Sequence, residues 1–125
     1  MLSRFKYYRI DKKTVMNSIR EFFESEKDVL LAIIFGSFVE LKSFRDVDIA
    51  IYSMNKEFKY YALLSARLEE FLRIPFDVVP IDELQVKFRY NVLTKGIIIL
   101  ERVAGLYEAL FNQTIDELTL LSLSM

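Results

Sequence analysis

Apolar and polar residues recur along the chain with two periods, one helical and one typical of strands. Apolar residues three and four positions apart predict amphipathic helices over 12–24 and 58–72. Short apolar runs, some interrupted only by acidic residues, predict four strands, over 29–35, 46–52, 76–79 and 97–100. The first of these runs is continuously apolar rather than alternating, so we expect it to be buried on both faces of a sheet.

Capping signals place the ends of several helices. Asp11 is positioned to cap the first helix. Asp82 and Gln85 have the spacing of a capping box, which predicts a further helix over 83–94 that ends at Gly96. A short turn, with at most one turn of helix, is expected between the first two strands.

The tail over 104–125 is apolar and predicted to be helical. Thr114 and Glu117 repeat the capping-box spacing, which favours a second short helix starting there. Four leucines exceed one stripe of a short helix, at positions 118, 120, 121 and 123. We therefore expect this tail to lie at an interface, with a partner or with a second copy in a homodimer or hetero-oligomer. The alternative is that it packs on its own sheet.

Length and element order predict a single α/β domain over 1–125, with a small mixed sheet flanked by helices. With 17 basic and 18 acidic residues, the chain has no overall attraction for nucleic acid, and we expect no direct nucleic-acid binding. The absence of cysteine and histidine excludes disulfides, thiolate metal sites and Ser-His-Asp catalysis. Neither a transmembrane helix nor a signal peptide is evident, so we expect a cytoplasmic protein without membrane association.

The chemistry is concentrated where the first two strands meet their connecting turn. Gly36-Ser37 offers a backbone that a phosphate can approach and a hydroxyl beside it. Asp46 and Asp48 lie two residues apart, so on a strand their carboxylates project from one face. Such a pair suits Mg²⁺ when substrate phosphates complete its octahedron. Each motif alone is weak, because turns and capping acids are common, but two acids within an apolar strand need a counter-charge.

Together these residues resemble the DNA polymerase beta-like nucleotidyltransferase superfamily, which carries a third acid on a neighbouring strand. Asp77, between Phe76 and Val78-Val79, fits that position. Within the superfamily the chain is most similar to the minimal nucleotidyltransferase (MNT) group, often the antitoxin of a pair with a HEPN toxin. The resemblance covers about residues 14–101. It departs at Val39-Glu40-Leu41, where relatives often have Ala-Arg-Gly.

The resemblance implies an Mg²⁺-dependent transfer of AMP from ATP to a hydroxyl, expected to be a tyrosine of a separate HEPN toxin. Asp46, Asp48 and Asp77 would be catalytic and would bind the metal. The nucleotide-binding residues would be Gly36, Ser37, Lys42 and Arg45, although the last two are equally well explained as solvated surface side chains. Asp77 would orient or deprotonate the acceptor.

Two other functions stay open at this point. The chain could be a binding antitoxin that sequesters its partner, and Glu40 in place of an arginine favours this. It could also be a subunit of a small-molecule nucleotidyltransferase of the aminoglycoside type. The second is disfavoured because those enzymes usually carry an added helical domain.

Overall fold

The computed structural model describes residues 11–124, which form five helices and four strands. The predicted domain extent of 1–125 includes residues 1–10 and Met125, which lie outside the described part. The helices are α1 (Lys12–Glu24), α2 (Ser37–Glu40), α3 (Phe58–Leu72), α4 (Val86–Lys95) and α5 (Leu106–Leu123). The strands are β1 (Val29–Phe35), β2 (Val47–Ser53), β3 (Phe76–Pro80) and β4 (Ile97–Glu101).

All four strands join one mixed sheet in the order β3-β2-β1-β4. β1 pairs antiparallel with β2 and β4, whereas β2 and β3 are parallel and are joined through α3. The continuously apolar β1 lies inside the sheet, and its residues 31–34 are fully buried, as predicted. The predicted α/β class and mixed sheet flanked by helices are confirmed.

Helices cover the two faces of the sheet in separate layers. On one face, α1 and α3 bury side chains such as Ile19 and Leu68 against Ile49 of β2. On the other, α4 and α5 bury Val92, Leu93 and Leu110 against Leu31, Ile33 and Ala50. Because strand residues alternate between faces, Asp48 projects to the same face as Ala50, the one that α4 and α5 cover. Asp48, and Asp77 paired with it, therefore project to the face of the sheet that α4 covers, not to the face that α3 covers.

β3 is an edge strand whose outer backbone donors are satisfied by side chains of α3. The N–H of Phe76 donates to Oε1 of Glu69 at 3.0 Å. The N–H of Val78 donates to Oγ of Ser65 at 3.0 Å. Asp77 lies between these two anchored residues, so the backbone that carries it is held on both sides of the strand.

The capping box predicted at Asp82 and Gln85 is wrong. Residues 81–83 form a 3-10 turn, and α4 begins at Val86 with no side-chain cap from Gln85. Asp82 instead pairs with Nζ of Lys56 at 3.0 Å. A residue distant in sequence thus binds the carboxylate that the local pattern predicts as a helix cap.

The second short helix predicted from Thr114 is also wrong, because α5 is a single helix. Thr114 is fully buried, and its hydroxyl donates to the carbonyl of Leu110 at 2.7 Å. The same hydroxyl accepts a bond from Nε of Arg89 at 2.8 Å, and Arg89 also pairs with Glu117. This set, Arg89 with Thr114 and Glu117, fastens α5 to α4. No helix of residues 11–124 combines the length and the hydrophobicity that a membrane crossing requires.

Candidate active site

Gly36 directly follows β1 and lies beside the acidic side chain of Asp48 on β2. Its φ of 80° and ψ of −152° lie in a region that is essentially restricted to glycine. A Cβ placed on Gly36 would stand 2.6 Å from Oδ2 of Asp48. Glycine is therefore required at this position for two reasons, the backbone conformation and the close approach of the carboxylate.

The helical turn α2 fixes Ser37 directly after this glycine. The N–H groups of Val39 and Glu40 donate to the carbonyl of Gly36 at 3.0 and 3.2 Å. Phe38 is buried and packs edge-on against the ring of Phe44, with centroids 4.8 Å apart. The turn is thus anchored to the core, which confirms the single helical turn expected between the first two strands.

Two of the three predicted acids, Asp48 and Asp77, occupy paired positions on two parallel strands, and Asp46 lies just before the first of these strands. In the register of the sheet, Asp48 lies opposite Asp77 on one side and Phe35 on the other. Paired residues on adjacent strands project to the same face, about 4.8 Å apart along the hydrogen-bonding direction. Asp46 precedes β2 rather than starting it, a correction of one residue to the predicted strand. The N–H of Val47 donates to the carbonyl of Pro75 at 3.0 Å, so this stretch is tied to the start of β3.

A cavity of about 290 Å³ opens beside Asp48. Its walls come from the end of β1, from α2 and from one side of α4. The lining residues are Phe35, Gly36, Val39, Glu40, Asp48, Phe88, Asn91 and Lys95. A volume of this size is at the lower end of the range for small-ligand sites.

A family model described as polymerase beta, nucleotidyltransferase, matches residues 17–104. This is most of the chain. The chain belongs to the polymerase beta nucleotidyltransferase family. The resemblance stated from Gly36-Ser37 and the three acids is confirmed at the level of family and fold.

Solved structures with the same fold include chains of toxin–antitoxin complexes. A chain of the MntA–HepT crystal structure is 18% identical, with a TM-score of 0.72 over 90% of this chain and 91% of that one. A chain of a toxin–antitoxin structure with AMP-PNP is 20% identical, with a TM-score of 0.75 over 87% of this chain and 90% of that one. A chain of the complex of tri-AMPylated Shewanella oneidensis HEPN toxin with MNT antitoxin is 19% identical, with a TM-score of 0.74 over 91% of this chain and 92% of that one. At these identities the likeness is one of fold. No curated protein is significantly similar in sequence.

Not every residue assigned to this nucleotidyltransferase from its sequence lies at the cavity. Gly36 and Asp48 line it, and Ser37 and Asp77 are adjacent to them in sequence or register. Lys42 and Arg45 are exposed on the segment after α2 and do not line the cavity. Their assignment to the nucleotide stays a prediction.

Sequence reasoning missed the contribution of α4. Phe88, Asn91 and Lys95 follow one another at intervals of three and four, which places them on one face of the helix. That spacing was available in the sequence. What the sequence did not give was the packing that places this face beside Asp48.

The donor set of the site contains only oxygen ligands. Among residues 11–124, no group of three or more acidic side chains is arranged to hold a metal ion. Mg²⁺ commonly uses one or two protein carboxylates, with substrate phosphates and water in its other positions. Asp46 and Asp48, two residues apart with Asp48 in the wall of the cavity, fit that mode of binding and do not fit a cage built by the protein alone.

Proposed function

We propose that the chain is an Mg²⁺-dependent adenylyltransferase that transfers AMP from ATP to a tyrosine of a HEPN-type toxin and thereby acts as its antitoxin. The observation that carries the proposal is the contact of Gly36 with Asp48, in register with Asp77 beside the cavity. Family membership supports nucleotidyl transfer. The folds shared with an AMP-PNP complex and with the partner of an AMPylated toxin support ATP and a HEPN acceptor. A cytoplasmic location is part of this proposal.

Each residue has a separate task in the proposed reaction. Asp46 and Asp48 would hold Mg²⁺, which when bound supplies charge neutralisation on the phosphates. Gly36 lets the triphosphate approach the backbone, and the hydroxyl of Ser37 donates a hydrogen bond to it. Asp77 accepts the proton of the acceptor hydroxyl, whose oxygen attacks the α-phosphorus. The bond from that phosphorus to the bridging oxygen breaks, and pyrophosphate leaves.

A binding antitoxin with a weakened active site is the second candidate, and one observation favours it. Glu40 lines the cavity, where its carboxylate repels a triphosphate. Sequestration of the partner would not require the acids. The two functions therefore differ in whether loss of one carboxylate abolishes neutralisation of the toxin.

The test uses ATP labelled at the α-phosphate, Mg²⁺ and lysate of the host that carries this chain. We expect one labelled protein band with wild type and none with Asp48→Asn or with EDTA. Asp28→Asn is the matched control, because Asp28 is exposed in the turn before β1, at the end of that strand away from Gly36. Mass spectrometry of the band identifies the acceptor residue. The absence of label in a lysate that contains a co-purifying partner would reject transfer and leave the binding antitoxin.

A further inference from the structure

The cavity beside Asp48 has a wall that the proposed mechanism does not use. This wall, which we call the α4 wall, consists of Phe88, Asn91 and Lys95. It presents an aromatic ring, an amide and an ammonium group in sequence along one face of a helix. All three side chains are accessible to solvent, and none belongs to the buried face of α4, which carries Arg89, Val92 and Leu93. The α4 wall is therefore not part of the buried core.

The position of the α4 wall is set by close packing at Gly96, the residue directly after its last member. A Cβ on Gly96 would lie 2.4 Å from Cγ2 of Ile33 and 2.9 Å from the carbonyl oxygen of Ile34. The end of α4 can touch β1 this closely only because Gly96 has no side chain. Ile34 is two residues before Gly36, so this contact holds Lys95 at the end of β1 where Asp48 also lies.

The charges around the cavity require a cation for a phosphate ligand. Its described lining includes two carboxylates, those of Glu40 and Asp48, and a single basic residue, Lys95. A triphosphate would bring several further negative charges into the same space. A lysine ammonium is a flexible point charge that binds phosphate well. Helix C-termini also favour lysine through the helix dipole, so the test must separate these two reasons.

The aromatic end of the wall suits a nucleobase. The ring of Phe88 meets that of Phe35 edge to face, with centroids 5.6 Å apart and planes at 80°. Phe88 is 44% exposed, which leaves ring surface open at the cavity. Aromatic rings in this position stack on bases without selecting one of them.

We infer that the α4 wall binds the nucleotide, with Lys95 on the phosphates and Phe88 on the base. Lys95 then supplies positive charge in a cavity lining that also holds the carboxylates of Glu40 and Asp48. The inference rests on the proposed function, because it names the binding residues of the same site. It assigns nucleotide contacts to a helix that follows all three acids in the chain.

Binding of Mg·ATP and of adenosine, measured by calorimetry without any acceptor, tests this assignment. Lys95→Ala should weaken ATP binding about tenfold and leave adenosine binding unchanged, because only ATP carries phosphates. Lys95→Arg should keep ATP affinity within about threefold. Phe88→Ala should weaken ATP and adenosine alike, about tenfold. Lys87→Ala is the matched control, since Lys87 is exposed on the same helix outside the cavity lining.

The outcomes separate this inference from the proposed function. The role of Lys95 would be overturned if Lys95→Ala bound ATP as tightly as wild type does. It would also be overturned if this variant lost affinity for ATP and for adenosine equally. If wild type binds Mg·ATP through these residues but transfers no AMP, the α4 wall stands and the transferase fails. If wild type does not bind Mg·ATP, both fail. Thermal melting of each variant confirms that it is folded.

Discussion

Replacement of Gly36 by alanine is the sharpest perturbation of the candidate active site, because one methyl group acts on both the backbone and Asp48. The φ of 80° and ψ of −152° at Gly36 strain any other residue by about 1–3 kcal/mol. The added Cβ would also stand 2.6 Å from Oδ2 of Asp48, whereas ordinary contact begins near 3.4 Å. The carboxylate must therefore retreat by most of an ångström.

A displacement of this size is expected to slow transfer in addition to the loss of stability. Misplacement of a reacting group by about 1 Å costs on the order of 10²-fold in rate. We therefore expect Gly36→Ala to lose about 1–3 kcal/mol of unfolding free energy and at least 10²-fold in AMP transfer. Chemical denaturation measures the first quantity, and initial rates with ATP labelled at the α-phosphate measure the second.

Gly105→Ala supplies a control that also places alanine at a positive φ, in the milder left-handed region, and that has no neighbouring atom to displace. Gly105 has a φ of 86°, and a Cβ built on it meets nothing within 4 Å. It should lose about 1–2 kcal/mol of stability and keep the wild-type rate. Equal loss of transfer in both variants would show that strain alone explains the effect. Retention of transfer by Gly36→Ala would refute the argument that this glycine positions Asp48.

Three further predictions test other parts of the molecule. Asp77→Asn should reduce the rate of AMP transfer about 10²-fold or more and leave Mg·ATP affinity within about threefold of wild type. A transfer rate within tenfold of wild type would contradict the role of Asp77 as proton acceptor. Tyr61→Phe should gain about 1 kcal/mol in chemical denaturation, since Tyr61 is 4% exposed and its hydroxyl has no hydrogen-bond partner among residues 11–124. Burial, followed by nearby acids, raises the pKa of Tyr61, so above pH 10 only the unfolded chain ionises and wild type loses stability as the pH rises. The stability difference between Tyr61→Phe and wild type should therefore grow above pH 10. Glu117→Gln should lower the free energy of unfolding by about 2 kcal/mol, since it leaves a buried guanidinium without its ion pair. Arg89→Met should lower it less, since it leaves only an exposed carboxylate, and melting temperatures in the reverse order would contradict this.

Local patterns were sufficient for the strands, for most helices and for the family. β1 and β2 follow from apolar runs, and Gly36 and Asp48 stand out because they interrupt such runs. Both mistaken capping boxes have one physical cause. Asp82 and Thr114 have the local spacing of caps, but Lys56 and Arg89, distant in sequence, bind them instead.

The α4 wall could not be predicted for a related reason. Its location depends on the contact of Gly96 with β1, about sixty residues earlier in the chain. A glycine after a helix is expected as a C-terminal stop, so the sequence gives no sign that this one also serves as a packing surface. Chemistry carried by short motifs was accessible from the sequence, whereas chemistry brought in by helix packing was not.

The bonds from α3 to β3 also affect how the molecule behaves in a crowded solution. An open sheet edge is a template on which another chain can add a strand and begin aggregation. At β3 the outward donors of Phe76 and Val78 are already bonded to Glu69 and Ser65, and the strand ends at Pro80. The exposed charge of Asp77 adds repulsion at the same edge. The edge that carries Asp77, the proton acceptor of the proposed reaction, is thereby protected from pairing with a foreign strand.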